Sequence, residues 1–163
     1  MAKPTYPRAI ISTDMGDMTV ELWDDVAPNH VANFLKLASN GFYSNLVFHR
    51  IIPGFVIQGG CPKGDGTGGP GWQVKAEFNQ REHQPGTLSM ARSSHPDSAG
   101  SQFFVCLTRE KCRHLDRQYT AFGQVVEGMD VVKKLGATPV SGDRPIKPPK
   151  LKSIRPLSSA PAA

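Results

Sequence analysis

Val47-Phe48-His49-Arg50-Ile51-Ile52-Pro53-Gly54-Phe55-Val56-Ile57-Gln58-Gly59-Gly60 is the stretch on which the reading of this chain turns. Two runs rich in β-branched and aromatic residues flank Pro53-Gly54, the pattern of two strands joined by a tight turn. With a strand period of 2, Phe48 and Arg50 share one face, and so do Val56 and Gln58. A guanidinium stays charged at any physiological pH, so an arginine in an otherwise apolar run needs a hydrogen-bonded niche or a cleft to face. Two readings follow: a structural arginine that ties its strand to a loop by bonding carbonyls, or an arginine turned toward a ligand. Gln58 poses the same question. His49 has the opposite parity to Arg50 and is expected in the interior.

Working outward, Arg8 to Thr13 and Met18 to Trp23 read as a hairpin around Asp14-Met15-Gly16-Asp17, and Met18, Val20 and Leu22 share a face. Pro28 opens the clearest helix, with Val31, Phe34, Leu35 and Ala38 at i, i+3, i+4, i+7 and Gly41 as its stop. On the other side, Gly86 to Arg92 alternates, with Leu88 and Met90 opposite Thr87, Ser89 and Ala91. In Ser101 to Leu107, Phe103, Val105 and Leu107 form an apolar face while Gln102 and Phe104 point the other way. Arg109 to Arg117 reads as a polar linker, Tyr119 to Val126 as a strand, Gly128 to Leu135 as a short helix and Lys150 to Arg155 as a closing strand.

At 163 residues the chain suits one domain, large enough to bury roughly two thirds of its unfolded surface. Residues 1–7 read as a lead-in, 8–156 as the domain, and 157–163 as a tail expected to be disordered. The 16 glycines and 14 prolines favour a β-rich, turn-rich fold. The net charge is +5, and the basic tract Arg144, Lys147, Lys150, Lys152 and Arg155 is broken by prolines and carries no aromatics to stack on bases. It reads as a solvated surface, with no nucleic-acid or membrane partner expected. The cysteines Cys61, Cys106 and Cys112 are odd in number and form no Cys-x-x-Cys pair, which suits free thiols in a reducing compartment. No apolar run has the length of a secretory signal or a membrane span, so a cytoplasmic protein is expected.

Gly64, Gly66 and Gly69 satisfy G-x-G-x-x-G, but Pro70-Gly71-Trp72 follows where a helix should open, so the loop from Cys61 to Trp72 reads as glycine-rich for its turns. The five histidines (His30, His49, His83, His95 and His114) are scattered, no serine sits in a Gly-x-Ser-x-Gly elbow, and neither Ser98 nor Ser101 has an identifiable base beside it. No metal or cofactor is expected, and an enzyme built from this chain would act without nucleophile, metal or nucleotide.

Phe48-His49-Arg50-Ile51-Ile52-Pro53-Gly54-Phe55 with Gln58-Gly59-Gly60, then Leu88-Ser89-Met90-Ala91, Gly100-Ser101-Gln102-Phe103-Phe104, Leu115-Asp116 and Phe122-Gly123, resemble in order the motifs of the cyclophilins, peptidyl-prolyl cis/trans isomerases. The resemblance runs from about Arg8 to Pro156. It implies a mainly β fold, a closed eight-stranded antiparallel β-barrel capped by two α-helices. It makes Arg50 the catalytic arginine, acting with Phe55, Gln58 and Phe104. Phe55, Val56, Phe104 and Leu115 would wall a proline pocket, and Gln58 and Gln102 would hold the substrate backbone. Ala91 and Arg92 would lie along the peptide, with Arg92 where members commonly have asparagine. His114 stands where many members have tryptophan, which implies weakened cyclosporin binding, and Tyr119 where many have histidine.

The implied activity is rotation about Xaa-Pro bonds in proline-containing peptides and in unfolded or flexible segments, assisting folding, by a monomer. The other reading is a binding module that captures proline segments with turnover incidental.

Overall fold

The computed structural model describes residues 6–157; the expected disorder of the tail concerns residues that, Leu157 apart, lie outside that range. The chain runs β1 (Arg8–Thr13), β2 (Gly16–Leu22), α1 (Pro28–Ser39), β3 (Leu46–Val47), β4 (Arg50–Ile52), β5 (Val56–Gly59), β6 (Thr87–Met90) and β7 (Phe103–Cys106). After these come α2 (Arg109–Cys112), a 3-10 turn (Arg113–Leu115), β8 (Ala121–Glu127), α3 (Met129–Gly136), β9 (Val140–Ser141), β10 (Arg144–Pro145) and β11 (Lys150–Pro156).

Nine of these strands form one antiparallel sheet in the order β3-β11-β1-β2-β8-β6-β7-β5-β4, and β9 and β10 form a separate pair. This corrects the expectation of a closed eight-stranded barrel. The sheet is open, and its two edges, β3 and β4, do not pair. The physical reason lies in the opening stretch: β3 and β4 are two pieces of one bent segment, separated by Phe48-His49. The sheet curls until its ends are neighbours along the chain, and the backbone closes the gap that a ladder would otherwise bridge.

The bend also overturns the parity argument for Phe48 and Arg50. Phe48 amide donates to Pro149 O at 2.9 Å and Ile51 amide to Asp143 O at 2.8 Å, so the segment is held by a loop as well as by strands. Phe48 consequently points into the main core and is fully buried, whereas Arg50 does not. His49 is buried, as expected from its parity opposite to Arg50.

That core fills the inside of the curl with Ile11, Met18, Val20 and Leu22 from the first hairpin and Leu88, Phe103 and Val105 from β6 and β7. Val31, Phe34, Leu37 and Ala38 of α1 close one end, and Val131, Val132 and Leu135 of α3 also join it. Phe34 is the centre of an aromatic group, 5.2 to 5.6 Å from Phe122, Tyr43 and Phe103. The first amides of α1 have no local cap; Glu77, far along the chain, accepts from Asn29 N and His30 N at 3.2 and 2.8 Å.

The turn expected at Pro53-Gly54 forms, with Phe55 N donating to Ile52 O at 2.9 Å and Gly54 at φ 75°, the positive value that a type II turn requires at its third residue. At the far end of β5, Gly60 has φ 92°, and a Cβ there would stand 2.5 Å from Ser101 O, so only glycine lets the two backbones approach.

Arg109 to Arg117, expected as a linker, instead contains α2 and the 3-10 turn. Thr108 caps α2 by accepting from Lys111 N at 3.3 Å. Four residues are too few to show a helical period, which is why the pattern was silent there.

Candidate active site

The hairpin β4–β5 sets Arg50 opposite Gln58, and the β5–β7 ladder sets Gln58 opposite Phe104. Side chains that share a face across adjacent strands must meet, and here they form a continuous line. Arg50 Nη1 donates to Gln58 Oε1 at 3.1 Å, and Gln58 Nε2 donates to Gln102 Oε1 at 3.0 Å. Gln102 Nε2 then donates to Gly66 O and Gly68 O, each at 2.9 Å. On its outer side Arg50 Nε donates to Asp143 Oδ2 at 3.2 Å, a residue that no sequence motif singled out. The Arg50 side chain remains 42% exposed. The arginine is thus tied to one side chain on β5 and one in the loop at 143, and the rest of its guanidinium is open to a cleft.

Beneath the guanidinium lies a second apolar cluster, separate from the main core. Val56, Phe104 and Leu115 are buried in it with Cys106 and Cys112, and Phe55, Ala91 and Tyr119 pack against it half-buried. Apart from the two cysteines, these side chains, with Arg50, Gln58, Arg92 and His114, line a cavity of about 260 Å³. Every residue named from the sequence as a site residue lines this cavity except Gln102. Gln102 faces an adjoining cleft of about 880 Å³ that shares Gln58, Ala91 and Arg92 with it and is floored by the glycine-rich segment 66–71.

The rim is built from aromatic contacts. His114, carried by the 3-10 turn, stacks on Phe55 with centroids 5.7 Å apart, and Tyr119 meets Phe104 edge-on at 5.8 Å. Arg92 lies over the Tyr119 ring at 4.4 Å, while its Nε and Nη2 donate to Gln118 O at 3.1 and 2.7 Å and its Nη1 to Ser93 O at 2.9 Å.

Behind the cavity wall stand residues that sequence reasoning gave no role. His83 stacks on the back of Phe104, and Asp116 accepts from Arg109 and His83. Burial is the largest influence on His83 and pushes its pKa below the usual imidazole value, against the opposing pull of Asp116. Burial alone would raise the Asp116 carboxyl. Hydrogen bonds from Arg109 and from the His83 amide and ring outweigh it and hold that carboxyl well below the usual range. Only the Leu115-Asp116 dipeptide hinted at this group; the pairing with His83 spans 33 positions and leaves no local signal.

All three cysteines are buried free thiols. Among the described residues no group of three His, Cys, Asp or Glu side chains is placed to hold a metal ion.

Residues 8–155 match the family model for cyclophilin type peptidyl-prolyl cis-trans isomerase/CLD. The chain belongs to this family. A peptidyl-prolyl cis-trans isomerase of Synechococcus elongatus is 48% identical over 139 residues, covering 84% of this chain and 91% of its own. Peptidyl-prolyl cis-trans isomerase B of Bacillus subtilis is 48% identical over 124 residues, covering 75% and 85%. Among solved structures, a cyclophilin type isomerase of Cryptosporidium parvum, crystallised in the presence of the dipeptide Ala-Pro, superposes with TM-score 0.88 at 34% identity, over 93% of this chain and 99% of that one. The cyclophilin motifs read from the sequence, Phe48 to Gly60 onward, fall within the matched span.

Proposed function

We propose that this cyclophilin accelerates rotation about Xaa-Pro bonds without covalent chemistry, with the proline ring seated in the cavity beneath Arg50. Twisting the amide breaks its resonance, which sets an uncatalysed barrier of about 18–20 kcal/mol. In the twisted state the nitrogen regains its lone pair and charge separation falls, so apolar walls from Phe55, Val56, Phe104 and Leu115 suit it better than the planar amide. Arg50 donates to the substrate carbonyl, to the prolyl nitrogen, or to both.

The observation that carries this reading is the guanidinium anchored by two hydrogen bonds, through Nε to Asp143 and Nη1 to Gln58, in a cavity it shares with the apolar walls Phe55, Val56, Phe104 and Leu115. A guanidinium has five N–H groups, so donors remain for substrate. One charge-assisted hydrogen bond nets roughly 1.5–3 kcal/mol, while an acceleration on the order of 10⁵ needs about 7 kcal/mol. The difference comes from the cavity walls and from holding the peptide on both sides of a proline free to turn, with Gln58, Gln102, Ala91 and Arg92 along the backbone and His114 and Tyr119 at the rim.

Its substrates are proline-containing peptides and unfolded or flexible segments, and it works as a cytoplasmic monomer with cyclosporin binding weakened by His114. The test is cis-to-trans isomerisation of a short Xaa-Pro peptide by wild type and Arg50→Ala, with folding of both checked by circular dichroism. Strong acceleration by wild type and near loss in the variant is expected. A folded wild type that accelerates nothing would leave a proline-segment binding module, recognised in NMR by tight peptide binding with slow exchange between bound isomers.

A further inference from the structure

His83 is fully buried, and the chemistry proposed above makes no use of it. Its ring lies behind Phe104, centroids 6.3 Å apart and planes 19° from parallel. Both ring nitrogens are engaged: Nδ1 is 3.1 Å from Asp116 Oδ1, and Nε2 is 2.8 Å from Ser89 Oγ. A carboxylate can only accept, so Nδ1 carries the hydrogen. In the neutral ring Nε2 is then the acceptor, and the Ser89 hydroxyl donates to it.

Each end of this chain of bonds is fastened to a wall of the proline cavity. Ser89 stands directly opposite Phe104 in the β6–β7 ladder, and Asp116 follows Leu115 in sequence. Asp116 is itself held from three sides. His83 N donates to Oδ1 at 2.8 Å, Arg109 Nη1 donates to Oδ1 at 3.0 Å, and Arg109 Nη2 lies 2.7 Å from Oδ2. Glu82 Oε2 is 3.6 Å from Arg109 Nη2 and steadies the guanidinium from outside.

Ser89, His83 and Asp116 are joined in the order of an acyl-transfer triad, but the geometry excludes that chemistry. Ser89 is fully buried on the face it shares with Phe104, and no substrate carbonyl can reach its Oγ. What the arrangement can do is fix an imidazole flat against the back of one phenyl ring while tying it to the turn that carries Leu115.

We infer that His83 is a positioning residue for the isomerisation proposed above, on which this inference rests: clamped between Asp116 and Ser89, it holds Phe104 and Leu115 in the orientation that fits the twisted prolyl bond. An apolar wall favours the twisted amide over the planar one only while its rings keep one arrangement, and a wall free to tilt accommodates both equally. Loss of the clamp should therefore slow interconversion of the bound isomers more than it weakens binding. A histidine that merely satisfies its hydrogen bonds in the interior would lower stability and leave the rate of each folded molecule unchanged.

The experiment measures on-enzyme cis/trans exchange of an Xaa-Pro peptide by NMR, with Kd determined separately, for wild type, His83→Gln, Ser89→Ala and Arg109→Ala. Wild-type exchange comes first, because its absence would overturn the isomerase reading itself rather than the role of His83. With wild type active, exchange is expected to fall roughly tenfold in His83→Gln and severalfold in Ser89→Ala and Arg109→Ala, with Kd moving by less than about twofold. If His83→Gln does not fold, the other two variants, each removing a single side chain of the clamp, decide the matter. Folded variants that exchange at the wild-type rate, or whose whole loss lies in Kd, would overturn the inference.

Discussion

Arg50 and Gln58 stand opposite each other in the β4–β5 ladder, and Arg50 Nη1 donates to Gln58 Oε1 at 3.1 Å while its Nε reaches Asp143 on the other side. The guanidinium plane is thereby fixed by two acceptors in different directions, a task suited to its planar fork and beyond an ammonium. Arg50→Lys should therefore keep the charge and the fold yet lose at least about tenfold in kcat/KM. Asp143→Ala should cost about two- to fivefold. The Arg50–Asp143 pair is 42% and 59% exposed, so its removal should leave Tm unchanged. Coupled isomerisation assays with thermal melts check all three, and a fully active Arg50→Lys would sink the assignment of the fork.

Gln58 carries the next link. It is only 8% exposed, and its amide serves two partners at once, accepting from Arg50 and donating to Gln102. Gln58→Ala removes both hydrogen bonds, each worth roughly 0.5–1.5 kcal/mol, from partners that can still reach water. For a chain of this size that corresponds to about 2–4 °C in Tm per kcal/mol. Differential scanning calorimetry should show the drop together with reduced activity, and an unchanged Tm would mean that water replaces the amide without loss.

How far the sequence disclosed this site depends on how far apart its parts lie. Arg50, Gln58 and Phe104 were legible because each breaks the pattern of its own strand: a cation or amide in an apolar run, or a phenyl ring on the polar face. Phe48 misled, since period 2 presumes an unbroken strand and the chain bends at Phe48-His49. Asp143, which orients Arg50, was invisible because the pairing spans 93 positions. His114 and Leu115 were reached by resemblance alone; their 3-10 turn is too short to leave a period. The number of strands and the openness of the sheet depend on which edges find partners, which no local pattern encodes.

Three histidines give the fold a pH signature. His30, His49 and His83 are buried and hold pKa values below the usual imidazole value, in each case chiefly through burial. In the unfolded chain they titrate near about 6.5. Below that pH the unfolded state binds more protons than the native state, so stability falls as pH drops from about 6.5 toward the folded values. Asp116, held low in the fold, adds a loss of the same sign once pH falls below about 3.9. Tm should be highest at neutral pH and above and should decline between about pH 7 and 5. His49→Gln, at a ring whose Nδ1 has no partner, should flatten part of that decline. A flat Tm for wild type across that window would refute the argument.

His114 stacks on Phe55 at 5.7 Å from a turn at the rim, not from the floor of the cavity. Replacing the imidazole by an indole at this point would enlarge the apolar surface over Phe55 and carry the ring's N–H donor farther from the turn. His114→Trp should thus tighten cyclosporin binding by about tenfold or more, the gain of one well-placed hydrogen bond and its packing. Peptide isomerisation should change by less than about threefold, because Arg50, Phe104 and Leu115 are untouched. Titration calorimetry with cyclosporin, run beside the peptide assay, separates the two effects. If affinity does not move, His114 does not set it, and the next variants are Tyr119→His and Arg92→Asn, because Arg92 lies over Tyr119 at 4.4 Å and the two share one edge of the cavity.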